Sequence, residues 1–343
     1  MTLTERRGLI LKAVVEEYVR NGQPVGSRAI VRRYGLDISP ATVRNELARL
    51  SEEGFVVQPH TSAGRAPSDR GYRFYVDNLM SPYDLGAAEE IAVRRYLNAC
   101  SSGIRDAVRG TARLLADVTS YVAVVLAPEL GAGRVEGVHL LPVAEARALL
   151  IVVLEGGFVQ HKLIELPGSI EPEDLEYLSR QLDAAFRGCA VDDLPRAVAA
   201  LWRSSMARYG AVLELAANAL LESLHPGDQD QERIYLGGTT NILRLPEFQD
   251  VERLREVLGL LEEEALLMDI LTARTSGAAV QVTIGRENPS QAMRECSLVT
   301  ATYRVPGGGT GLLGLLGPTR MDYRRVTAVL DAVRMSLDGL LGD

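Results

Sequence analysis

One short segment of the chain, Ser39–Leu50 with the sequence SPATVRNELARL, carries side chains suited to contact the bases of DNA. On a helix, Val43, Leu47 and Leu50 share one face, which predicts that this face is buried. The opposite arc carries small and polar residues: Ala41, Thr42, Arg44, Asn45, Ala48 and Arg49. Small residues let a helix approach base edges, and Arg and Asn can form paired hydrogen bonds with guanine and adenine. The segment therefore predicts a helix that reads the major groove.

A plain surface helix with a solvated polar face would show the same pattern, so the neighbouring elements decide between the two interpretations. Ser39 suits the N-cap of this helix, and Pro40 suits its first position because proline has no N–H to leave unpaired. Helical spacing of apolar residues predicts a first helix around Ile10–Val19. A second, short helix is expected over Ser27–Tyr34, with Ser27 as its N-cap. A short helix, a tight turn and a second capped helix are the helix-turn-helix arrangement.

The residues that follow predict a wing. Phe55–Val57 favours a strand, the segment QPHTSAGRAPSDRG is polar and rich in turn-forming residues, and Gly71–Met80 is expected to be the return strand. Arg65 is expected near the tip, where a wing usually contacts phosphate or the minor groove. Base contacts are predicted for Thr42, Arg44 and Asn45. Backbone or groove contacts are predicted for Ser27, Arg28, Ser39, Arg49, His60, Ser62 and Arg65.

The distribution of charge agrees with a DNA-binding head, although it is weak evidence alone. Residues 1–75 hold 12 Lys and Arg against 8 Asp and Glu, whereas the whole chain has a net charge of −8. A basic head on an acidic body is typical of a DNA-binding module joined to a regulatory part. The three cysteines form no CxxC pair, and neither a signal peptide nor a membrane-spanning segment is expected from the apolar runs of the sequence. A cytoplasmic protein with reduced thiols is expected.

The 343 residues suggest two or three domains. Beyond the head, strands are predicted at Tyr121–Ala127 and between 135 and 166, helices between 171 and 223, and strands again between 280 and 316. A final helix is expected from Asp322. Strands, helices and again strands indicate one α+β domain that is interrupted by an insertion. The expected fold class is therefore α+β multidomain, with an N-terminal winged helix-turn-helix.

Motifs that could support catalysis or cofactor binding are better explained by structure. Gly309–Gly314 matches GxGxxG, but a strand and turn follow instead of the helix that a dinucleotide site needs. His139 and His161 lie in predicted strands without metal-ligand spacing, and Glu262–Glu264 suits a solvated helix face. Cys296 is expected to be a small buried residue. No catalytic, cofactor or metal site is predicted, and an enzyme is not expected.

The chain resembles the HrcA family of heat-shock repressors in one long ordered string: PVGSRAI, SPATVRNELARL, PHTSAGRAPSDRGYRFYVD, YLGGTTN, IGREN, SLVTATY and GLLGLLGPTRMDYRRV. The similarity covers most of the chain and is weakest near 81–117 and 170–225. It implies a winged helix, a GAF-like domain and a dimerisation domain inserted into the latter. The expected boundaries are 1–76 for the winged helix, 77–118 for a linker and helical lead-in, 119–166 and 266–343 for the two halves of the GAF-like domain, and 167–265 for the inserted dimerisation domain.

The same resemblance implies a homodimeric transcriptional repressor of chaperone genes that binds double-stranded DNA at an inverted-repeat CIRCE operator. It also implies that the active fold depends on the GroEL chaperonin, without a cofactor or a membrane. Two alternatives stay open from the residues. One is a regulator that senses a small ligand in its GAF-like domain, which is fold-level analogy only. The other is a scaffold or enzyme whose winged helix binds protein instead of DNA, which affinity for duplex DNA and its salt dependence would test.

Overall fold

A computed structural model of the chain describes residues 3–35, 37–61, 63–99, 104–128, 133–155, 158–168, 170–204, 210–224, 233–272, 279–305 and 309–342. We call residues 3–80 the head and the residues after them the body. The head contains α1 (Glu5–Asn21), α2 (Ser27–Tyr34), α3 (Pro40–Glu52), β1 (Val56–Val57), β2 (Ala66–Pro67) and α4 (Asp69–Phe74).

The helices of the head form where the spacing of apolar residues predicts them. Ile10 and Val14 of α1 and Val43 and Leu47 of α3 are buried in one core. α1 ends at Gly22, which has a φ of 64° and whose N–H donates to the carbonyl of the helix's last turn at 2.8 Å. Glycine adopts this left-handed conformation without a steric penalty, so the chain can turn sharply towards α2.

Two local predictions about the head are wrong. Ser27 is the first residue of α2 and Gly26 is its N-cap, since the carbonyl of Gly26 accepts the N–H of Ala29 at 3.0 Å. Gly71–Met80 is not a return strand: it forms α4 and a π-helical segment, Tyr75–Leu79, and the return strand is Ala66–Pro67. The aromatic residues there suit a strand by composition, but Tyr72 and Tyr75 are three residues apart, a helical spacing that places both on one buried face.

The body contains α5 (Ala87–Ala99), α6 (Ile104–Thr119), β3 (Val122–Leu126), β4 (Val135–Ala144), β5 (Arg147–Leu154), β6 (Phe158–Glu165), α7 (Pro172–Phe186), α8 (Leu194–Ser204), α9 (Gly210–Leu224), β7 (Ile234–Gly237), α10 (Val251–Glu262), α11 (Glu264–Thr272), β8 (Val280–Ile284), β9 (Cys296–Arg304), β10 (Thr310–Pro318) and α12 (Tyr323–Gly342). Among these elements, no helix is both long and apolar enough to cross a membrane.

A five-stranded antiparallel sheet with the order β7-β3-β10-β9-β8 forms the centre of the body. Its side chains alternate between two cores. Val125 and Leu313 face the core that contains α6 and α12, whereas Val124 and Leu312 face the core that contains α10 and α11. The GxGxxG segment lies at the start of β10, where Gly309 accepts the N–H of Val305 at 2.9 Å to close the hairpin with β9.

A second, three-stranded sheet with the order β4-β5-β6 lies between β3 and β7 in sequence. Its inner face packs against α7, α8 and α9 in a core of its own. The chain therefore leaves the five-stranded sheet after β3 and rejoins it at β7, as expected for an interrupted α+β body. The boundaries given above stay a prediction, although the strands between 135 and 165 pair with one another and not with β3.

Candidate DNA-binding interface

The third helix of the head, α3, begins with the cap that its sequence predicts. Ser39 is the N-cap, and its Oγ accepts the N–H of Thr42 at 3.1 Å and lies 2.9 Å from the Thr42 hydroxyl. Pro40 occupies the first helical position. Because the first turn is capped and one face is anchored by Val43 and Leu47 in the head core, the opposite face keeps a fixed orientation.

That opposite face presents three predicted contact residues to solvent. Arg44, Asn45 and Arg49 are exposed, and Thr42 at the edge of this face is half-buried. Within the described part of the chain, the side chains of the three exposed residues have no hydrogen-bond or ion-pair partner. Their donors are therefore free to bind another molecule, which is what base reading by Arg and Asn requires.

Two acidic residues of α3 are held by α1. Arg7 of α1 donates from Nε to Glu46 at 2.9 Å and from Nη1 to Glu53 at 2.6 Å, and all three side chains are about one-fifth exposed or less. A single guanidinium thus joins α1 to the middle and to the end of α3. These ion pairs neutralise Glu46 and Glu53, two carboxylates that would otherwise repel a phosphate backbone, whereas Glu52 at the end of α3 is exposed.

The second helix, α2, carries three arginines, and one of them forms an ion pair with α1. Arg33 lies 3.1 Å from Glu17 of α1, a carboxylate that is almost fully buried. Arg28 and Arg32 are exposed, and neither has a partner within the described residues. Residues four apart lie side by side on a helix, so these two form a basic pair beside α3. Arg32 is not among the contact residues predicted from the sequence, although its spacing from Arg28 is a usable signal.

The wing is a loop between β1 and β2 that packs on the segment before α2. Val25 and Arg65 exchange two backbone hydrogen bonds of 2.8 and 2.9 Å, an isolated antiparallel bridge next to the β1–β2 pair. The side chain of Gln58 donates to the carbonyls of Thr61 and Ala63 at 2.9 and 3.1 Å and holds the loop closed.

The predicted contact residues of the wing and of the start of α2 differ in their accessibility. His60 is exposed on the loop, and Ser62 lies outside the described residues. Arg65 lies at the base of the wing and not near its tip, since its backbone pairs with Val25. Its Nε is shielded from solvent and has no hydrogen-bond partner there. Ser27 is buried, which limits the access of a phosphate to its hydroxyl.

The body shows no comparable constellation of polar groups in its described part. No group of three or more His, Cys, Asp or Glu side chains there could hold a metal ion. The face of the five-stranded sheet that lies towards α10 and α11 is filled by apolar side chains, among them Phe248, Leu260, Ile270 and Leu298. Cys296 is buried in the same core, and its burial raises the pKa of the thiol to about 12.

A head with a capped, polar-faced third helix and a wing, joined to an antiparallel α+β body, defines the class of winged-helix transcription regulators. Comparisons with known proteins narrow this class. Residues 105–327 match the family model described as the HrcA protein C-terminal domain. The chain is 42% identical to the heat-inducible transcription repressor HrcA of Pelotomaculum thermopropionicum over 99% of its own length and 97% of the relative.

Further similarities agree with that match. The HrcA repressor of Moorella thermoacetica is 43% identical, over 99% of this chain and 98% of the relative. A crystal structure of a hypothetical protein at 2.2 Å resolution shares the fold with a TM-score of 0.66, at 22% identity and with 99% of both chains covered. The chain belongs to the HrcA family, which consists of heat-shock transcription repressors and not of enzymes.

Proposed function

We propose that this chain represses chaperone genes by binding, as a homodimer, an inverted-repeat CIRCE operator in double-stranded DNA. The observation that carries the proposal is the exposed face of α3, on which Arg44, Asn45 and Arg49 have no partner among the described residues. Bound in the promoter region, the protein would keep RNA polymerase from transcribing the genes downstream. The assignment to the HrcA family supports a repressor, and the residues of the head supply its chemistry.

The head residues divide into two groups by the DNA atoms that they would contact. Arg44 and Asn45, with Thr42 beside them, would read base edges in the major groove. Phosphate or groove contacts would come from the ends of α2 and α3, from the exposed arginines and from the wing. This second group contains Ser27, Arg28, Arg32, Ser39, Arg49, His60, Ser62 and Arg65.

A homodimer is proposed because one recognition helix per chain must meet two symmetric half-sites. The outer face of the three-stranded sheet supports association. Leu141, Val159 and Leu163 on this face are each about half exposed, which is unusual for side chains of this size clustered on one sheet. Burial of such a face against a partner chain would remove it from water.

Dependence on the GroEL chaperonin is proposed from the family and from the topology of the body. β3 pairs on one side with β10 and on the other with β7, so its partners lie far along the chain. Pairing of distant segments is slow, and apolar surface is exposed until it is complete. Heat fills the chaperonin with unfolded clients in the cytoplasm, repressor maturation fails, and the chaperone genes are transcribed. Equal recovery of operator binding after refolding with and without chaperonin would refute this part.

The repressor proposal is tested by the binding of purified chain to a labelled inverted-repeat duplex and to a scrambled duplex across a salt series. We expect the inverted repeat to bind tighter by at least about 1000-fold, the lower end for specific complexes. The logarithm of the binding constant should fall with the logarithm of salt concentration by about 0.9 per phosphate contact. Equal binding of the two duplexes, with chaperonin supplied during folding, would contradict the proposal. Lack of affinity for either duplex would favour a protein-binding winged helix.

A further inference from the structure

One arginine of α4 forms several of the hydrogen bonds that join the head to the body. Arg73 donates from Nε and Nη2 to the two carboxylate oxygens of Glu287 at 2.8 and 2.6 Å. Its Nη2 also donates to the carbonyl of Val282 in β8, and its Nη1 to Asp77 at 3.1 Å. A forked arrangement of this kind fixes the relative orientation of two groups, because both hydrogen bonds must be satisfied at once.

A second contact lies one turn earlier on α4. Asp69 accepts the backbone N–H of Arg286 at 3.0 Å. Gly285 next to it has a φ of 52°, and a Cβ at this position would lie 2.5 Å from the Asp69 carboxylate. The body loop thus approaches the head as closely as a backbone without a side chain allows.

The body loop that receives α4 is itself held in place. Glu287 accepts the N–H of Ile284 at 2.9 Å with the same oxygen that receives Arg73. Asn288 is buried and donates to the carbonyls of Gly285, Met293 and Cys296 at 2.9, 3.1 and 3.0 Å. The loop therefore presents fixed partners to α4. We call Asp69, Arg73 and residues 284–288 the junction.

A second anchor restrains the head at the end of α1. Arg320 of the body donates from Nη1 to the carbonyl of Val19 at 2.9 Å and from Nε to Glu247 at 2.5 Å. Between the two anchors, Tyr72 of α4 packs against Tyr323 of α12, with ring centroids 5.8 Å apart, inside a core that head and body share. The contact with α1 and the shared core keep the head on the body, and the junction on α4 sets the angle between the two.

We propose that the junction is a positioning device for DNA recognition: Arg73 and Asp69 set the angle at which the body presents α3, and thereby the spacing of half-sites that the protein accepts. The inference rests on the proposed function, since it concerns the pair of recognition helices in a dimer. Each helix must enter the major groove on the same side of the duplex, so half-sites must lie a whole number of helical turns apart. If the head is held at a fixed angle to the body, both helices can enter the major groove only at such spacings. A loosely tethered head would rotate and accept other spacings as well.

The test measures affinity for a set of duplexes in which the spacer between the two half-sites grows in single base-pair steps across one helical turn. The variants are Arg73→Gln and Glu287→Gln, with Arg253→Gln as the matched control. Arg253 forms a similar ion pair with Glu295 at 2.6 Å, entirely within the body. For the unmodified chain and for Arg253→Gln, we expect the best and worst spacers to differ at least about tenfold, since the worst spacing disengages one helix.

For Arg73→Gln and Glu287→Gln, we expect that difference to shrink to about threefold or less, because a head that the junction no longer holds at one angle can adapt to each spacer. Affinity for a duplex with a single half-site should stay within about twofold of the unmodified chain, since α3 itself is unchanged. The variant that combines both substitutions should behave like either one. A spacer dependence that both variants retain in full would overturn the inference. A loss of single half-site affinity of the same size as the loss on the full operator would also overturn it, since the effect would then be on the stability of the head.

A second measurement keeps the inference separate from the proposed function. Hydrogen exchange of the Ile284 and Arg286 amides should be faster in Arg73→Gln, while the amides of α3 keep their protection. Unchanged exchange rates at Ile284 and Arg286 would show that Arg73 does not hold the loop of the body in place. This result would overturn the inference independently of any DNA measurement. Failure of the unmodified chain to prefer an inverted repeat would instead refute the proposed function.

Discussion

Substitution of Gly64 by alanine is expected to separate the wing from the segment that precedes α2. A Cβ at position 64 would lie 2.4 Å from the carbonyl carbon and oxygen of Val25 and 2.8 Å from its nitrogen. These are backbone atoms that cannot move aside like a flexible side chain. The next residue, Arg65, forms both hydrogen bonds with Val25, so the clash falls directly on the pairing that holds the base of the wing.

The expected size of the effect follows from these contacts. Each of the two backbone hydrogen bonds contributes about 0.5–1.5 kcal/mol, and the forced repacking around an added methyl group costs about 1–3 kcal/mol. We therefore expect Gly64→Ala to lower the free energy of unfolding by about 2–6 kcal/mol. Gly26→Ala is the matched control, because Gly26 also adjoins Val25 but has no atom within 4 Å of its Cβ position. Its expected cost, as an N-cap change, is about 1 kcal/mol or less.

The assay is denaturant unfolding followed by circular dichroism, together with hydrogen exchange of the Val25 and Arg65 amides. Gly64→Ala should shift the transition to lower denaturant and remove the protection of both amides, and it should weaken operator binding because the wing is displaced. Gly26→Ala should keep that protection. If Gly64→Ala unfolds at the same denaturant concentration as Gly26→Ala, the close approach of the wing to Val25 is not a determinant of stability, and the reasoning fails.

Other expectations concern binding, stability and reactivity. Arg44→Ala should cost about 1–3 kcal/mol of operator binding and relax the base preference. An equal loss of affinity for the operator and the scrambled duplex would show that Arg44 does not read bases. Arg32→Ala should weaken the binding of all duplexes alike and reduce the salt slope by about 1. Gly259→Ala, within α10 and with open space around its Cβ position, should raise the free energy of unfolding by about 0.5–1 kcal/mol, and a lower melting temperature would contradict this. Burial raises the pKa of the Cys296 thiol to about 12. We therefore expect Cys296 of the native protein to resist alkylation at pH 8 until the protein is unfolded. Rapid labelling of Cys296 in the native protein, measured by mass spectrometry, would refute its burial.

Features of the head that depend on neighbouring residues could be predicted from the sequence. Ser39, Pro40 and the apolar spacing of α3 all act within one helix, and the structure confirms each of them. The sequence places the start of α2 one residue too late because Gly26 and Ser27 are both acceptable N-caps, and the hydrogen bond from the N–H of Ala29 to the carbonyl of Gly26 decides between them.

Features that depend on distant residues could not be predicted. The place of Arg65 at the base of the wing follows from its pairing with Val25, which no local pattern indicates. Arg73 and Glu287 lie in different parts of the chain, and neither residue type nor spacing marks them as partners. The interrupted order of strands indicated that the body is split, but only the observed pairing shows that β4, β5 and β6 form a sheet of their own.

The central claim is that α3 reads the two halves of an inverted repeat. Hydroxyl-radical footprinting of an end-labelled CIRCE duplex tests it most directly, with the unmodified chain and Arg44→Ala compared at the same protein concentration. We predict two symmetric protected zones whose centres lie a whole number of helical turns apart, about 10–10.5 base pairs each, and the weakening of both zones together in Arg44→Ala. Protection of a single zone, uniform protection along the duplex, or a footprint that Arg44→Ala leaves unchanged would contradict the claim.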